Sequence, residues 1–129
     1  MPNRILTPQG VHAPIGSYSH AIEVPPNARW LYISGQVGIG PDGKVGQSIE
    51  QQAELVWQNL LAILESAGMG IEDLVKVNTY LTRTQDIQGS RNARTKVLGS
   101  FKPASTLVVI TALAAPEYLI EIEAHAAKA

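Results

Sequence analysis

The feature that most narrows the folds open to this chain is an abrupt change in the period of its apolar residues. Ala53, Val56, Leu60, Ile63, Leu64 and Ala67 recur at spacings of three and four, which draws one apolar face on a helix. From Val75 to Thr82 the period falls to two, with Val75, Val77, Thr79 and Leu81 sharing one side of a strand rich in β-branched residues. A helix with one apolar stripe and a sheet with one apolar face each need a single cover, and they can supply it to each other. Ser48-Ile49-Glu50-Gln51 reads as a capping box that starts the helix, and Gly68 offers the left-handed residue that stops it. Gln51, Glu54, Gln58 and Glu65 fall on the face left to water.

The remaining elements follow from the same signals. Ala21-Ile22-Glu23-Val24 and Trp30-Leu31-Tyr32-Ile33 are strand-like, and the turn cluster Pro25-Pro26-Asn27-Ala28 between them predicts a hairpin. Pro41-Asp42-Gly43 supplies a second turn. A second helix is expected from Asp86 to Phe101, with Gly89 near its start, Gly99 near its end and a thin apolar face of Ile87, Ala93, Val97 and Leu98. Thr106 to Leu113 and Tyr118 to Ala126 read as the last two strands, joined antiparallel through Ala114-Ala115-Pro116-Glu117. The sum is an α+β two-layer sandwich, with two helices on one face of a mostly antiparallel sheet. At 129 residues and 45% hydrophobic content the chain can bury one core, so residues 1–129 are expected to form one domain.

Composition removes several classes of function. Ten Lys and Arg against eleven Asp and Glu leave a net charge of −1 without long runs of one sign, which points away from a nucleic-acid partner. The absence of cysteine excludes disulfides, thiolate metal sites and cysteine nucleophiles. No apolar run approaches the roughly 18 residues of a membrane span, and Met1-Pro2-Asn3-Arg4 is not followed by a signal core. A soluble cytoplasmic protein is expected. The sequence contains no Gly-x-Gly-x-x-Gly, phosphate loop or Gly-x-Ser-x-Gly elbow, so no nucleotide cofactor or serine triad is expected. His12, His20 and His125 lack the short paired spacing of a metal site, and a hydrogen-bonding role suits His20 better.

Two features leave their meaning open. Glu121 and Glu123 lie on one face of the last strand. They are either the wet side of that strand or, if Glu121 is enclosed in a cleft, a proton shuttle for water with a raised pKa. Leu107-Val108-Val109-Ile110 is apolar on both faces, which fits either a buried central strand or a strand covered by another copy.

Four words resolve these alternatives by resemblance. Pro14-Ile15-Gly16-Ser17-Tyr18-Ser19, Ile33-Ser34-Gly35-Gln36, Lys102-Pro103-Ala104-Ser105-Thr106-Leu107 and Glu121-Ile122-Glu123-Ala124 resemble the RidA/YjgF family of small enamine/imine deaminases. The match runs through nearly the whole chain. The resemblance implies a chorismate mutase-like fold and a homotrimer whose sheets form an inner barrel, with small-molecule clefts between subunits. It implies hydrolytic deamination without a cofactor, Glu121 positioning the attacking water, and Tyr18, Ser34, Gly35, Ser105 and Thr106 lining the pocket.

One departure bears on substrate. The family carries an arginine that grips the substrate carboxylate where this chain has Ser105, and one neutral hydroxyl cannot replace a bidentate guanidinium. Plain 2-aminoacrylate is therefore not the expected substrate. Either Arg91, with Arg94 at i+3, supplies the cation from the second helix, or Ser105 and Thr106 recognise a larger or neutral enamine. The alternative to an enzyme is a trimeric metabolite-binding protein that does not turn its ligand over.

Overall fold

The computed structural model describes residues 2–129. In chain order it contains β1 (Arg4–Leu6), β2 (Ala21–Glu23), β3 (Arg29–Val37), α1 (Ile49–Ser66), β4 (Leu74–Leu81), α2 (Ile87–Leu98), β5 (Ala104–Val109) and β6 (Ile120–Lys128). Two helices pack on one face of a four-stranded sheet ordered β3-β6-β4-β5, and β1 and β2 form a separate two-stranded ribbon. The expected α+β two-layer sandwich is the observed architecture.

Helix α1 starts and stops as its sequence dictates. The Ser48 hydroxyl accepts from the Gln51 amide at 3.1 Å, while the Gln51 side chain accepts from the amide of Gln47, one residue further upstream than a capping box would place it. At the other end Met69 N–H reaches Leu64 O and Gly68 N–H reaches Glu65 O, both at 2.9 Å, with Gly68 at φ 68°. This is the Schellman pattern, and only glycine adopts that φ without cost.

Two strand pairings differ from the sequence reading. β2 pairs antiparallel with β1, and β3 pairs with β6, so the expected Ala21–Ile33 hairpin does not form. Nor do the last two strands pair with each other: β5 runs parallel to β4, and β6 begins at Ile120 rather than Tyr118. The reason is topological. β3-α1-β4 and β4-α2-β5 are strand-helix-strand crossovers, and a crossover returns the chain parallel. The first leaves a vacant slot between β3 and β4, which β6 fills antiparallel to both.

Being central, β6 is the most deeply covered strand. Ile120, Ile122, Ala124 and Ala126 face α1 with Leu60, Leu64, Val77 and Leu81, none more than 1% exposed. β4 buries Val77, Thr79 and Leu81 as the alternation requires, whereas a register shift between Leu74 and Lys76 leaves Val75 only half-buried.

Gln52, buried in the first turn of α1, ties this sheet to the helix. Its amide donates to Gly46 O at 2.9 Å and Glu117 O at 2.8 Å, and its carbonyl accepts from Leu119 N at 2.8 Å. The approach is so close that a Cβ on Gly38 would lie 2.6 Å from Gln52 Cα, and one on Gly46 2.9 Å from Gln52 N. Replacing Gln52 with Leu leaves two carbonyls and one amide without partners. With about 1–3 kcal/mol per orphaned buried group, partly relieved by relaxation, Gln52→Leu is expected to destabilise the fold by about 3 kcal/mol. A urea melt checks this, and a loss below about 1 kcal/mol would mean that the staple carries little.

Candidate functional site

The residues expected to form one pocket lie in two places. Tyr18, Arg91, Ser105 and Thr106 line a single cleft of about 330 Å³ at the free edge of β5, together with Ile15, Gly16, Arg94 and Leu107. Glu121, Ser34 and Gly35 sit on the side of the sheet turned away from the helices, where β3 meets β6. β6 is two strand spacings from β5, about 10 Å, and none of the three lines the cleft.

The Glu121 group is built by a bulge. Ile33 pairs with Ala124 and Gln36 with Ile122, so Ser34 and Gly35 together oppose one residue, Glu123. The half-buried Glu121 carboxylate lies directly over Gly35: a Cβ there would overlap the carboxylate oxygen and sit 2.7 Å from Cδ. Glycine is needed at this position for space rather than for backbone conformation, since Gly35 is not among the residues with positive φ. Two residues along, on the same face, Glu123 accepts from the Tyr80 hydroxyl at 2.6 Å and from Asn78 Nδ2 at 3.2 Å. That hydrogen bond from Tyr80 raises its phenol pKa, with burial and the charges of Glu123 and Glu121 adding to the shift.

At the β5 edge, the alternation of the strand sends Ser105 to the helix side with Val77 and Thr106 to the outer side, where its hydroxyl accepts from Lys76 Nζ at 2.8 Å. Tyr18 reaches the cleft from the N-terminal segment. That segment is fastened to the start of β5 by Ser19 N–H on Pro103 O at 3.1 Å and by the Ser19 hydroxyl on Lys102 O. His20 holds the segment together, with Nε2 2.6 Å from His12 O and the two rings edge to face. His125 stacks edge to face on Tyr32.

The two helix arginines differ. Arg91 is exposed, but Arg94 belongs with Ser90 and Leu98 to the stripe of α2 that faces inward and is only 9% exposed. Its Nε is buried without a partner. Desolvation lowers its pKa, and the charge of Arg91 lowers it further. An i, i+3 spacing does not by itself distinguish an exposed arginine from a buried one.

Comparison with known proteins agrees with this fold. The family model described as Endoribonuclease L-PSP matches residues 10–128. The chain belongs to the RidA/YjgF family. It is 34% identical over 130 residues to a RutC family protein of Pyrococcus abyssi, covering 99% of each chain. It is 29% identical over 114 residues to a 2-iminobutanoate/2-iminopropanoate deaminase of Dermatophagoides farinae, covering 87% of each. Among solved structures, a conserved Rid family protein of unknown function from Yersinia pestis superimposes with a TM-score of 0.85 at 31% identity, over 98% of both chains. Among the described residues no helix is long and apolar enough to cross a membrane.

The Tyr80–Glu123 contact makes a testable claim about this face. A raised phenol pKa favours the protonated hydrogen-bonded form, so the contact stabilises the fold at neutral pH and is lost as pH rises past the ordinary tyrosine range. In an ultraviolet titration the Tyr80 phenol should ionise above that range, and Glu123→Gln should bring it back toward it. An unchanged curve in Glu123→Gln would mean that the two side chains do not meet in solution.

Proposed function

We propose that this protein hydrolyses reactive enamine/imine metabolites to a carbonyl compound and ammonia, in clefts shared between copies of a cytoplasmic homotrimer, as a step in metabolite detoxification. The observation that carries the reading is the Glu121 carboxylate seated over Gly35, on a chain whose relatives include a protein named for 2-imino acid deamination. The split of the pocket residues supports an intersubunit cleft. A second copy that brings its Glu121 face to the β5 edge would join Tyr18, Arg91, Ser105 and Thr106 to Glu121, Ser34 and Gly35. The outer sheet face also invites cover, since Tyr32 is 72% exposed, Trp30 47% and Val108 41%.

The enamine first tautomerises to its imine. Water then adds to the C=N carbon as Glu121 takes a proton from it and passes a proton to nitrogen. The carbinolamine collapses, the C–N bond breaks, ammonia leaves and the carbonyl forms. Donors near Ser105 and Gly35 hold the substrate while this happens. With Ser105 in place of a guanidinium, a substrate larger than 2-aminoacrylate fits better. The alternative, a trimer that binds metabolites without turning them over, is favoured by that same serine.

Ammonia release decides between them. Wild-type protein should release ammonia from freshly generated 2-iminobutanoate or a larger imine, and Glu121→Gln should slow this by about 10²–10⁴-fold, the usual worth of acid–base assistance. Gly35→Ala should lose activity too, because the new methyl displaces the carboxylate while the fold accommodates it. Equal rates in all three proteins would remove Glu121 from the mechanism, and no release from any imine would favour the binding protein. Sedimentation should give a trimer, and a monomer would dismantle the shared cleft.

A further inference from the structure

The cleft at the β5 edge contains positive charge that nothing in the chain balances. Arg91 and Arg94 both line it, and no carboxylate does. The ion pairs among the described residues are Arg4–Glu23 and Arg83–Asp86, so neither cleft arginine has an acidic partner. Arg94 is the costlier of the two. It occupies the core-facing stripe of α2, more than nine-tenths buried, with Nε cut off from water and unpartnered. Burying a charge without a partner is unfavourable, and a second cation one helical turn away adds to the cost. An arginine held in place for structure has its donors satisfied, whereas a site built to receive an anion leaves them open.

The other lining groups define what can enter. Ser105 and Thr106 offer hydroxyls, Tyr18 a phenol, and Ile15 and Leu107 apolar walls, in a volume of about 330 Å³. A small organic acid fits this set: a planar carboxylate matches the guanidinium fork, and a short carbon chain meets the apolar walls.

We propose that Arg94, assisted by Arg91, is the carboxylate-binding group of this cleft, so that the ligand is a 2-imino or 2-oxo acid whose anionic end is held from helix α2 rather than from strand β5. The assignment of an imino acid as substrate rests on the deaminase reading, while the anion site rests on the cleft alone. Ser105 then faces the neutral part of the ligand, and the missing β5 arginine marks a relocated anion contact rather than a lost one. Arg91, being exposed, is screened by water and contributes less than Arg94.

The test uses 2-oxobutanoate, the hydrolysis product of 2-iminobutanoate, and its neutral analogue 2-oxobutanamide. In wild-type protein the carboxylate should shift the Nε–H resonance of Arg94 in a nitrogen-15 spectrum, and the amide should not. Arg94→Gln should weaken 2-oxobutanoate binding at least about tenfold, the lower end of what a charge-assisted hydrogen bond is worth. Arg94→Lys should recover only part of it, because an ammonium has no fork, and Arg91→Gln should cost less than Arg94→Gln. The wild-type spectrum decides the matter even if a variant fails to fold. No binding of 2-oxobutanoate at millimolar concentration, binding that leaves the Arg94 signal unmoved, or equal affinity in Arg94→Gln would overturn the proposal. Imine turnover that is unaffected by Arg94→Gln would sink the anion site and leave the deaminase standing. Arg94-dependent binding without turnover of any imine would do the reverse.

Discussion

The fold depends on how closely the first turn of α1 can approach the ends of β3 and β6, and Gln52 sets that distance. A buried glutamine is tolerated only when both ends of its amide are satisfied, and here they are spent on the backbone at Gly46, Glu117 and Leu119. Leu119 immediately precedes β6, so the bond fixes where the central strand begins. Glu121 is the second residue of that strand. The rotation that sends Ile120 and Ile122 into the core is therefore the one that sends Glu121 to the opposite face. A helix cap, a strand register and the position of an acid are coupled through one side chain and two glycines that leave room for it.

What was legible in the sequence was whatever local chemistry decides. The Ser48 start and Gly68 stop of α1, its apolar stripe, and the alternation along β4 each follow from residues within a few positions of one another. The missed pairings were decided at long range. Nothing near Ala21–Glu23 says that its partner is Arg4–Leu6, since β1 is only three residues long. Pro25-Pro26 looks like a hairpin turn whether or not the flanking strands pair. The place of β6 between β3 and β4 follows from counting crossovers, because two successive strand-helix-strand units leave a slot that the last strand must fill. Its small residues Ala124 and Ala126, which α1 packs over, carry the same message.

The site was legible in part for the same reason. Short words carried Glu121, Gly35 and Tyr18, and the bulge at Ser34–Gly35 explains why one of those words contains a glycine: the carboxylate occupies the volume of the missing side chain. The separation of these residues between the β5 edge and the seam of β3 with β6 could not be read from words, because it is a property of strand order. Arg94 was harder still. On a helix with a thin apolar face an arginine reads as solvated, and only the contact of α2 with α1 reveals which stripe turns inward. There Gly89 lets the helices close until a Cβ would lie 3.1 Å from Ile49 Cγ2.

That close packing gives the proposed relocation of the cation its physical sense. A guanidinium on β5 would stand on an edge strand that water reaches. A guanidinium on the inward stripe of α2 is largely buried, where its field is stronger and its orientation is fixed by the helix. Two consequences follow for a ligand whose carboxylate it binds. The carboxylate is drawn toward the helix layer, so the reacting carbon lies further from α2 by the length of the intervening chain. The hydroxyls of Ser105 and Thr106, on opposite faces of β5, then meet the neutral portion from two sides. In the proposed arrangement, moving the charge from strand to helix would change which imino acids place their C=N bond within reach of Glu121, with the water-handling end of the site left as it is. On the proposed reading, Ser105 is part of a change of specificity, and the unpaired Nε of Arg94 is its structural trace.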